Sequence, residues 1–258
     1  MEVIEQKQIS RRFTRALSTY DRHAEAQQQI CLRLTELLQQ QGKTAFNRAL
    51  EIGCGSGGFT RVLMNKFPIN EWVINDLCSS CQQFVPLANS SGNEEPLFMA
   101  GDAETLVFPG PFDLIASASA FQWMKDQKAF LKKLFGLLNP NGILLFNSFT
   151  SNNLKEIRQL TGKGLDYPEP SLLREWIKEA GFLLLHEEQE TITLSFDHPL
   201  EVLRHLKYTG VTATGDGSVW TRQKQALFCD RYQQLYGNDK HKVTLTYSPI
   251  YWVAVRNR

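Results

Sequence analysis

Leu50-Glu51-Ile52-Gly53-Cys54-Gly55-Ser56-Gly57-Gly58 is the stretch on which the fold turns. A short apolar run from Ala49 to Ile52 passes directly into four glycines within six residues. From Phe59 the pattern changes period: Phe59, Val62, Leu63 and Lys66 take helical spacing, and Pro68 closes the run. Strand, glycine turn and helix in that order make the first unit of a nucleotide-binding sheet, because glycine lets the backbone approach a ligand closely. The loop satisfies two templates at once, Gly53-x-Gly55-x-x-Gly58 and, behind Glu51, Gly53-x-Gly55-x-Gly57. In both, Asp76, about 20 residues on, is placed to bond ribose hydroxyls.

Outward from the loop, strands and helices alternate. Trp72 to Leu77 reads as a second strand with its acid at the C-terminal end, and Leu97 to Ala100 as a third ending at Gly101-Asp102. Phe112 to Ser117 is a fourth, Gln127 to Leu138 an amphipathic helix stopped at Asn139-Pro140-Asn141-Gly142, and Ile143 to Phe149 a fifth strand. Such alternation specifies a parallel sheet with helices on both faces, which binds ligands beyond the C-terminal strand ends. Residues 1–42 read as helix, with Phe13, Leu17, Tyr20 and Ala24 at spacings of three and four, then Ile30, Leu34, Leu37 and Leu38 after a polar break. In the last hundred residues the spacing predicts helices over Ser171–Ala180, Pro199–Tyr208 and Val219–Leu235. A sixth strand starts at Phe182–Leu185 and is extended by Ile192–Leu194. The closing strand runs from Val243 to Val255, interrupted at Ser248-Pro249.

The chain has 258 residues, 28 Lys+Arg against 27 Asp+Glu, a net charge of +1 and 42% hydrophobic residues, which excludes disordered and disulfide-scaffold classes. With no global cation field, nucleic-acid binding is not expected. No run approaches the ~18 apolar residues of a membrane span, and Met1 to Lys7 is too polar for a signal peptide. The five cysteines are scattered, as expected in a reducing, cytoplasmic compartment. Cys78-Ser-Ser-Cys81 has C-x-x-C spacing, but no second pair follows, so these are read as ordinary thiols and no metal is expected.

The ligand chemistry separates the two templates. A dinucleotide needs a helix N-terminus facing its pyrophosphate, and Glu51 beside that group would repel it. A phosphate-free sulfonium nucleoside instead favours nearby carboxylates. Glu51 with Gly53-x-Gly55-x-Gly57 resembles motif I of the S-adenosylmethionine-dependent methyltransferases. Gly101-Asp102-Ala103-Glu104 resembles their adenine-reading turn, and Phe112-Asp113-Leu114-Ile115 followed by Phe121-Gln122-Trp123 resembles motif IV. The cofactor set implied is Tyr20, Glu51, Gly53, Cys54, Gly55, Gly57, Asp76, Leu77, Asp102, Ala103, Ser117, Gln122 and Trp123.

Two further stretches narrow the resemblance. Tyr20-Asp21-Arg22-His23-Ala24 with Gln27 is similar to a helix that covers the cofactor in a methyltransferase subset. Leu203-Arg204-His205-Leu206-Lys207-Tyr208-Thr209-Gly210-Val211 resembles a selective signature of the malonyl-[acyl-carrier protein] O-methyltransferase family of biotin synthesis, and the likeness runs over essentially the whole chain. One departure is Asn75-Asp76-Leu77-Cys78, where relatives more often carry a small or Ser-containing turn after the acid. The implied fold is α/β, a single domain over 1–258 with a seven-stranded Rossmann-like class I methyltransferase sheet, mostly parallel with one antiparallel strand. Residues 1–42 would cover the cofactor, and segments 151–170 and 196–240 would form a helical lid.

The implied reaction is methyl transfer from S-adenosylmethionine to the free carboxylate of malonyl thioester, on acyl-carrier protein or on malonyl-CoA. Tyr20 and Arg204 are the catalytic candidates; Arg204, His205, Lys207, Asn147 and Phe149 are the substrate-binding ones. Arg11, Arg12 and Arg15, or Lys155, Arg158 and Lys163, would dock the acidic carrier. A monomer is expected. The alternatives are a methyltransferase acting on another small carboxylate or a quinone-type ring, and a non-catalytic module binding S-adenosylmethionine or NAD.

Overall fold

The computed structural model describes residues 6–86, 95–210, 221–238 and 242–257. Two helices come first, α1 (Gln6–His23) and α2 (Glu25–Gln40), broken at Ala24. The chain then alternates through β1 (Phe46–Ile52), α3 (Gly58–Lys66), β2 (Ile69–Asp76), β3 (Leu97–Ala100), β4 (Phe112–Ser117), α4 (Gln127–Leu137) and β5 (Leu138–Phe149). Beyond these lie α5 (Lys155–Thr161), α6 (Pro170–Glu179), β6 (Phe182–Gln189), β7 (Ile192–Phe196), α7 (Pro199–Tyr208), α8 (Arg222–Tyr236), β8 (Val243–Tyr247) and β9 (Pro249–Arg256). Val211 and Val219 lie outside the described residues. Among the described residues no helix is long and apolar enough to cross a membrane.

Seven strands form one sheet in the order β3-β2-β1-β4-β5-β9-β6. The pairs from β3 to β5 are parallel, and β9 runs antiparallel to both β5 and β6. The central strands are buried on both faces because side chains alternate with period two. Ala49, Ile74, Leu114, Ala116 and Leu145 face α2 and α3, packing with Leu34, Leu38 and Leu63. Leu50, Val73, Ile115, Leu144 and Phe146 face the other way, against Phe130 and Leu134 of α4 and Leu173 and Ile177 of α6. Truncating such a side chain to alanine typically costs about 2–5 kcal/mol.

The expectation for Ile192–Leu194 is corrected. These residues do not extend β6. They belong to β7, which pairs antiparallel with β8 in a separate two-stranded sheet. The interrupted closing strand is likewise two elements in two sheets, β8 and β9, divided at Ser248. Pro249 has no N–H to give a ladder, so a strand tolerates it only at its start or edge, and there it begins β9 opposite Phe149.

Asp113 of the motif IV stretch sits at the N-terminal end of β4, far from the loops that follow the strands. Burial would raise its pKa, but the Asn139 amide (2.8 Å) and the backbone N–H groups of Arg48 and Asn47 (3.1 and 3.0 Å) outweigh that and hold it low. Its task is to fix the starts of β1 and β5 beside β4.

Candidate active site

β1 delivers the chain to the glycine loop, which β2 braces: the carbonyl of Asn75 accepts from the N–H of Gly53 (2.9 Å) and of Cys54 (3.1 Å). Gly53 has φ +75°, and a Cβ there would lie 2.3 Å from Cβ of Ala120. Only glycine lets the loop pass that close to the turn after β4. Gly55 has φ +53° and nothing within 4 Å of where a Cβ would stand, so its backbone lies bare on the cavity side. Asp76 locks the arrangement: one carboxylate oxygen accepts from Gly55 N–H at 2.9 Å and the other from Cys78 N–H at 2.8 Å. Each oxygen keeps a second lone pair for a ligand.

The cavity encloses about 290 Å³ at the C-terminal ends of β1 to β4. One wall is the loop itself, with Gly53, Cys54 and Gly55; β2 contributes Asp76 and Leu77. Asp102 and Ala103, after β3, form the far end. That turn is pinned twice. Lys133 of α4 donates to the carbonyls of Ala103 (2.8 Å), Glu104 (3.1 Å) and Leu106 (2.5 Å), and Asp102 accepts from Glu104 N–H at 2.9 Å. The Glu104 carboxylate accepts from the N–H groups of Lys125 and Asp126, tying the turn to the start of α4.

Tyr20 on α1 and Trp123, in the 3-10 turn Phe121–Trp123, close the cavity from above. Phe13 meets the Trp123 ring edge-on at 6.0 Å. Burial pushes the Tyr20 phenol well above its usual range, so it stays protonated and can donate. Four of the expected cofactor residues stand behind the wall. Glu51 is 1% exposed with Oε2 unpartnered; burial lifts its carboxyl to about 7, against a Thr60 hydroxyl that pulls it down. Gly57 precedes α3 in the left-handed region. Ser117 donates to the Ile52 carbonyl at 3.0 Å, and Gln122 to the Ser119 carbonyl at 2.7 Å.

The substrate candidates lie apart from that wall. Arg204 and Lys207 are exposed on α7, which packs on α1: Tyr208 stacks on His23 with ring centres 4.6 Å apart, and Gly210 is pressed against Phe13. His205 turns inward, its Nε2 2.8 Å from the Tyr247 hydroxyl, and burial, with His23 nearby, lowers its pKa to about 4. It is therefore neutral and carries no cation to a carboxylate. Asn147 is fully buried and accepts from Ser119 N–H at 2.8 Å, while Phe149 packs against Tyr167.

Sequence reading missed Asp21 as a clamp. Its carboxylate accepts from the Ser56 hydroxyl and pairs with Arg61 at 2.9 Å, and Arg61 also donates to the Ser56 carbonyl at 2.8 Å. These contacts hold the end of α1 onto the glycine loop. Only the fold reveals them, since Asp21 and Ser56 are 35 residues apart. Gln27, quoted only as a motif position, lines the same cavity with Oε1 buried and unpartnered.

The comparisons with known proteins agree with this geometry. Residues 50–146 match a family described as a methyltransferase domain. Solved structures share the fold. A methyltransferase structure from Bacillus halodurans superposes with TM-score 0.62 at 17% identity, covering 87% of this chain and 99% of that one. The N-methyltransferase NodS from Bradyrhizobium japonicum, solved with S-adenosylhomocysteine, gives 0.53 at 14%, over 97% and 99%. At such identities they establish the fold alone, that of the class I methyltransferases.

Much greater sequence similarity links the chain to proteins named malonyl-[acyl-carrier protein] O-methyltransferase. The one from Porphyromonas gingivalis is 42% identical over 97% of this chain and 96% of its own length. The one from Haemophilus ducreyi is 42% identical over 96% of each. The matched stretch extends past residues 50–146 to nearly the whole chain, and on that ground the chain belongs to the malonyl-[acyl-carrier protein] O-methyltransferase family.

Proposed function

We propose that this chain transfers a methyl group from S-adenosylmethionine to the free carboxylate of a malonyl group held as a thioester on acyl-carrier protein. The methyl ester would prime the acyl chain that leads to biotin, and the enzyme would act as a cytoplasmic monomer. The observation that carries this reading is the near-full-length identity to relatives of that name. The cavity suits the cofactor. Gly55 offers bare backbone, Asp76 and Asp102 offer carboxylates at the strand ends, and Gln27 Oε1 is a buried acceptor without a partner, while the Glu51 carboxyl lies behind the loop. Glu51 also suits a cationic ligand better than a dinucleotide, since a nearby positive charge favours its ionised form and phosphates would oppose it.

When bound, S-adenosylmethionine supplies an electrophilic methyl group. The chain's own task is then placement. A malonyl carboxylate, with a pKa near or below the ~4 of Asp and Glu, is already ionised at neutral pH, so no general base is needed. Tyr20, protonated and facing the cavity from α1, donates a hydrogen bond beside the reacting centre. Arg204 orients the carboxylate through its planar fork, with Lys207 in support, while Asn147 and Phe149 shape the pocket from behind the end of β5. Helices α1 and α2 cover the cofactor, and the described parts of 151–170 and 196–240, with α5, α7 and α8, shield the reaction from water, which favours neutralisation of opposite charges in the transition state.

The test is mass spectrometry of malonyl-acyl-carrier protein after incubation with enzyme and S-adenosylmethionine. A methyl-sized gain on the malonyl form, absent with the acetyl form, is expected. No gain, in a preparation that binds the cofactor, overturns the substrate assignment.

A further inference from the structure

Three cysteines separated in sequence meet beneath the glycine loop. Cys54 comes from the loop itself; Cys78 and Cys81 come from the 3-10 turn Ser79–Phe84 and the residue before it. All three are at most 5% exposed. The Cys81 side chain neighbours those of both Cys54 and Cys78. Asp76 completes the group: a carboxylate oxygen and the sulfurs of Cys78 and Cys81 all lie within 4.8 Å of one another. Spacing along the chain offers only one C-x-x-C pair. Asp76 lies two residues before that pair, and the fold brings in Cys54.

We propose that Asp76, Cys78 and Cys81, with Cys54 as fourth donor, bind a thiophilic divalent cation of the zinc class. Sulfur-rich sets with one oxygen suit zinc or cadmium and bind magnesium or calcium poorly, since those prefer oxygen ligands. A tetrahedral zinc holds sulfur at about 2.3 Å and carboxylate oxygen at about 2.0–2.2 Å, so its ligand atoms stand some 3.5–4 Å apart. The group of Asp76, Cys78 and Cys81 needs only a small contraction to reach that, and Cys54, which stands outside the group, moves in from the loop to complete it. Each thiol that binds releases its proton to solvent, so uptake is accompanied by proton release. The cation's own charge favours the thiolate forms that it binds.

The site has a consequence at the cavity, because Asp76, Cys54 and Cys78 also line it. Metal there engages Asp76 and draws the glycine loop toward the turn, so metal and cofactor exclude one another. This exclusion rests on the cofactor reading above; the metal site does not.

The experiment uses the full chain, reduced with a non-thiol reductant, titrated with cadmium chloride while the thiolate-to-cadmium charge-transfer absorbance is followed. One equivalent should develop the band. Cys81→Ser should abolish most of it, and Cys31→Ser/Cys229→Ser should retain it, with circular dichroism verifying that each variant is folded. Zinc should displace cadmium and erase the band, and zinc should weaken S-adenosylmethionine binding at least tenfold, reversibly with chelator. A band that survives in Cys81→Ser, or is absent in the unaltered chain, overturns the metal site. A band without any effect on cofactor affinity overturns the exclusion alone. Failure to bind the cofactor in metal-free protein would count against the proposed function and leave the metal result standing.

Discussion

Glu51 is a carboxyl buried under a loop that we assign to a cation. Its pKa of about 7 in the folded chain lies above the unfolded carboxylate value, so the folded state retains a proton that the unfolded state has lost. The stability this gives is fully present below the unfolded pKa and is lost as pH rises through about 7. A shift of this size is worth about 3 kcal/mol. Denaturant unfolding of cofactor-free protein should therefore show stability falling by up to that amount between about pH 4 and pH 8, relative to Glu51→Gln. Cofactor binding should run the opposite way. A sulfonium and an ammonium nearby favour the ionised carboxylate, so affinity should rise with pH through about 7 and the Gln variant should lose that dependence in calorimetry. Equal pH profiles for the two proteins would remove Glu51 from the site. Arg204 is tested by kinetics. Arg204→Ala should lower kcat/KM by about 10²-fold, since a charge-assisted contact is worth roughly 1.5–3 kcal/mol and its loss misorients the nucleophile. Unchanged kinetics would return it to the solvated face of α7.

Among the elements, α1 depends most on tertiary contacts. Its last turn reaches the glycine loop through Asp21, Ser56 and Arg61, and the Asp21 carbonyl accepts from Gln28 of α2 at 2.7 Å. The Asp21–Arg61 pair is half exposed and contributes little by itself. Its effect is positional, because Tyr20 is the neighbouring residue. Asp21→Ala should weaken S-adenosylmethionine binding about tenfold with little loss of global stability, and should speed proteolysis within α1 in the cofactor-free protein. Unaltered affinity and cleavage would mean that packing of Phe13 and Leu17 alone seats the helix. These contacts explain what could be read from sequence. The glycine loop, Asp76 and Asp102 were legible because turn chemistry and strand ends are local features. The clamp was not, since it joins residues far apart in the chain. Nor was the division of Val243–Val255 between two sheets, because Thr244, Leu245 and Tyr247 alternate in the same way whichever partner they meet. His205 looked like part of a basic helix face, and only the packing of α7 on β8 turns it inward to Tyr247.

For the whole molecule the question is how a protein of net charge +1 attracts an acidic carrier. A global field cannot do it, so any steering must be local. Arg11, Arg15 and Arg22 on α1 and Arg204 and Lys207 on α7 are all exposed, and none has an ion pair among the described residues. The Arg12 side chain lies outside the described residues. The rival cluster is already partly committed: Arg158 donates to the Leu165 carbonyl and pairs with Asp166 at 3.6 Å. Since α1 and α7 pack together beside the cavity, a carrier seated on their joint face would present its thioester arm toward Tyr20. KM for malonyl-acyl-carrier protein should then rise about tenfold between roughly 0.05 and 0.5 M salt, with kcat nearly constant, as screening shortens the reach of exposed charges. Arg11→Glu/Arg15→Glu should raise KM similarly at low salt and flatten the salt dependence. Lys155→Glu/Lys163→Glu should do neither. If the second pair of substitutions carries the effect, the carrier docks on the α5 side of the molecule, and its arm must enter from there.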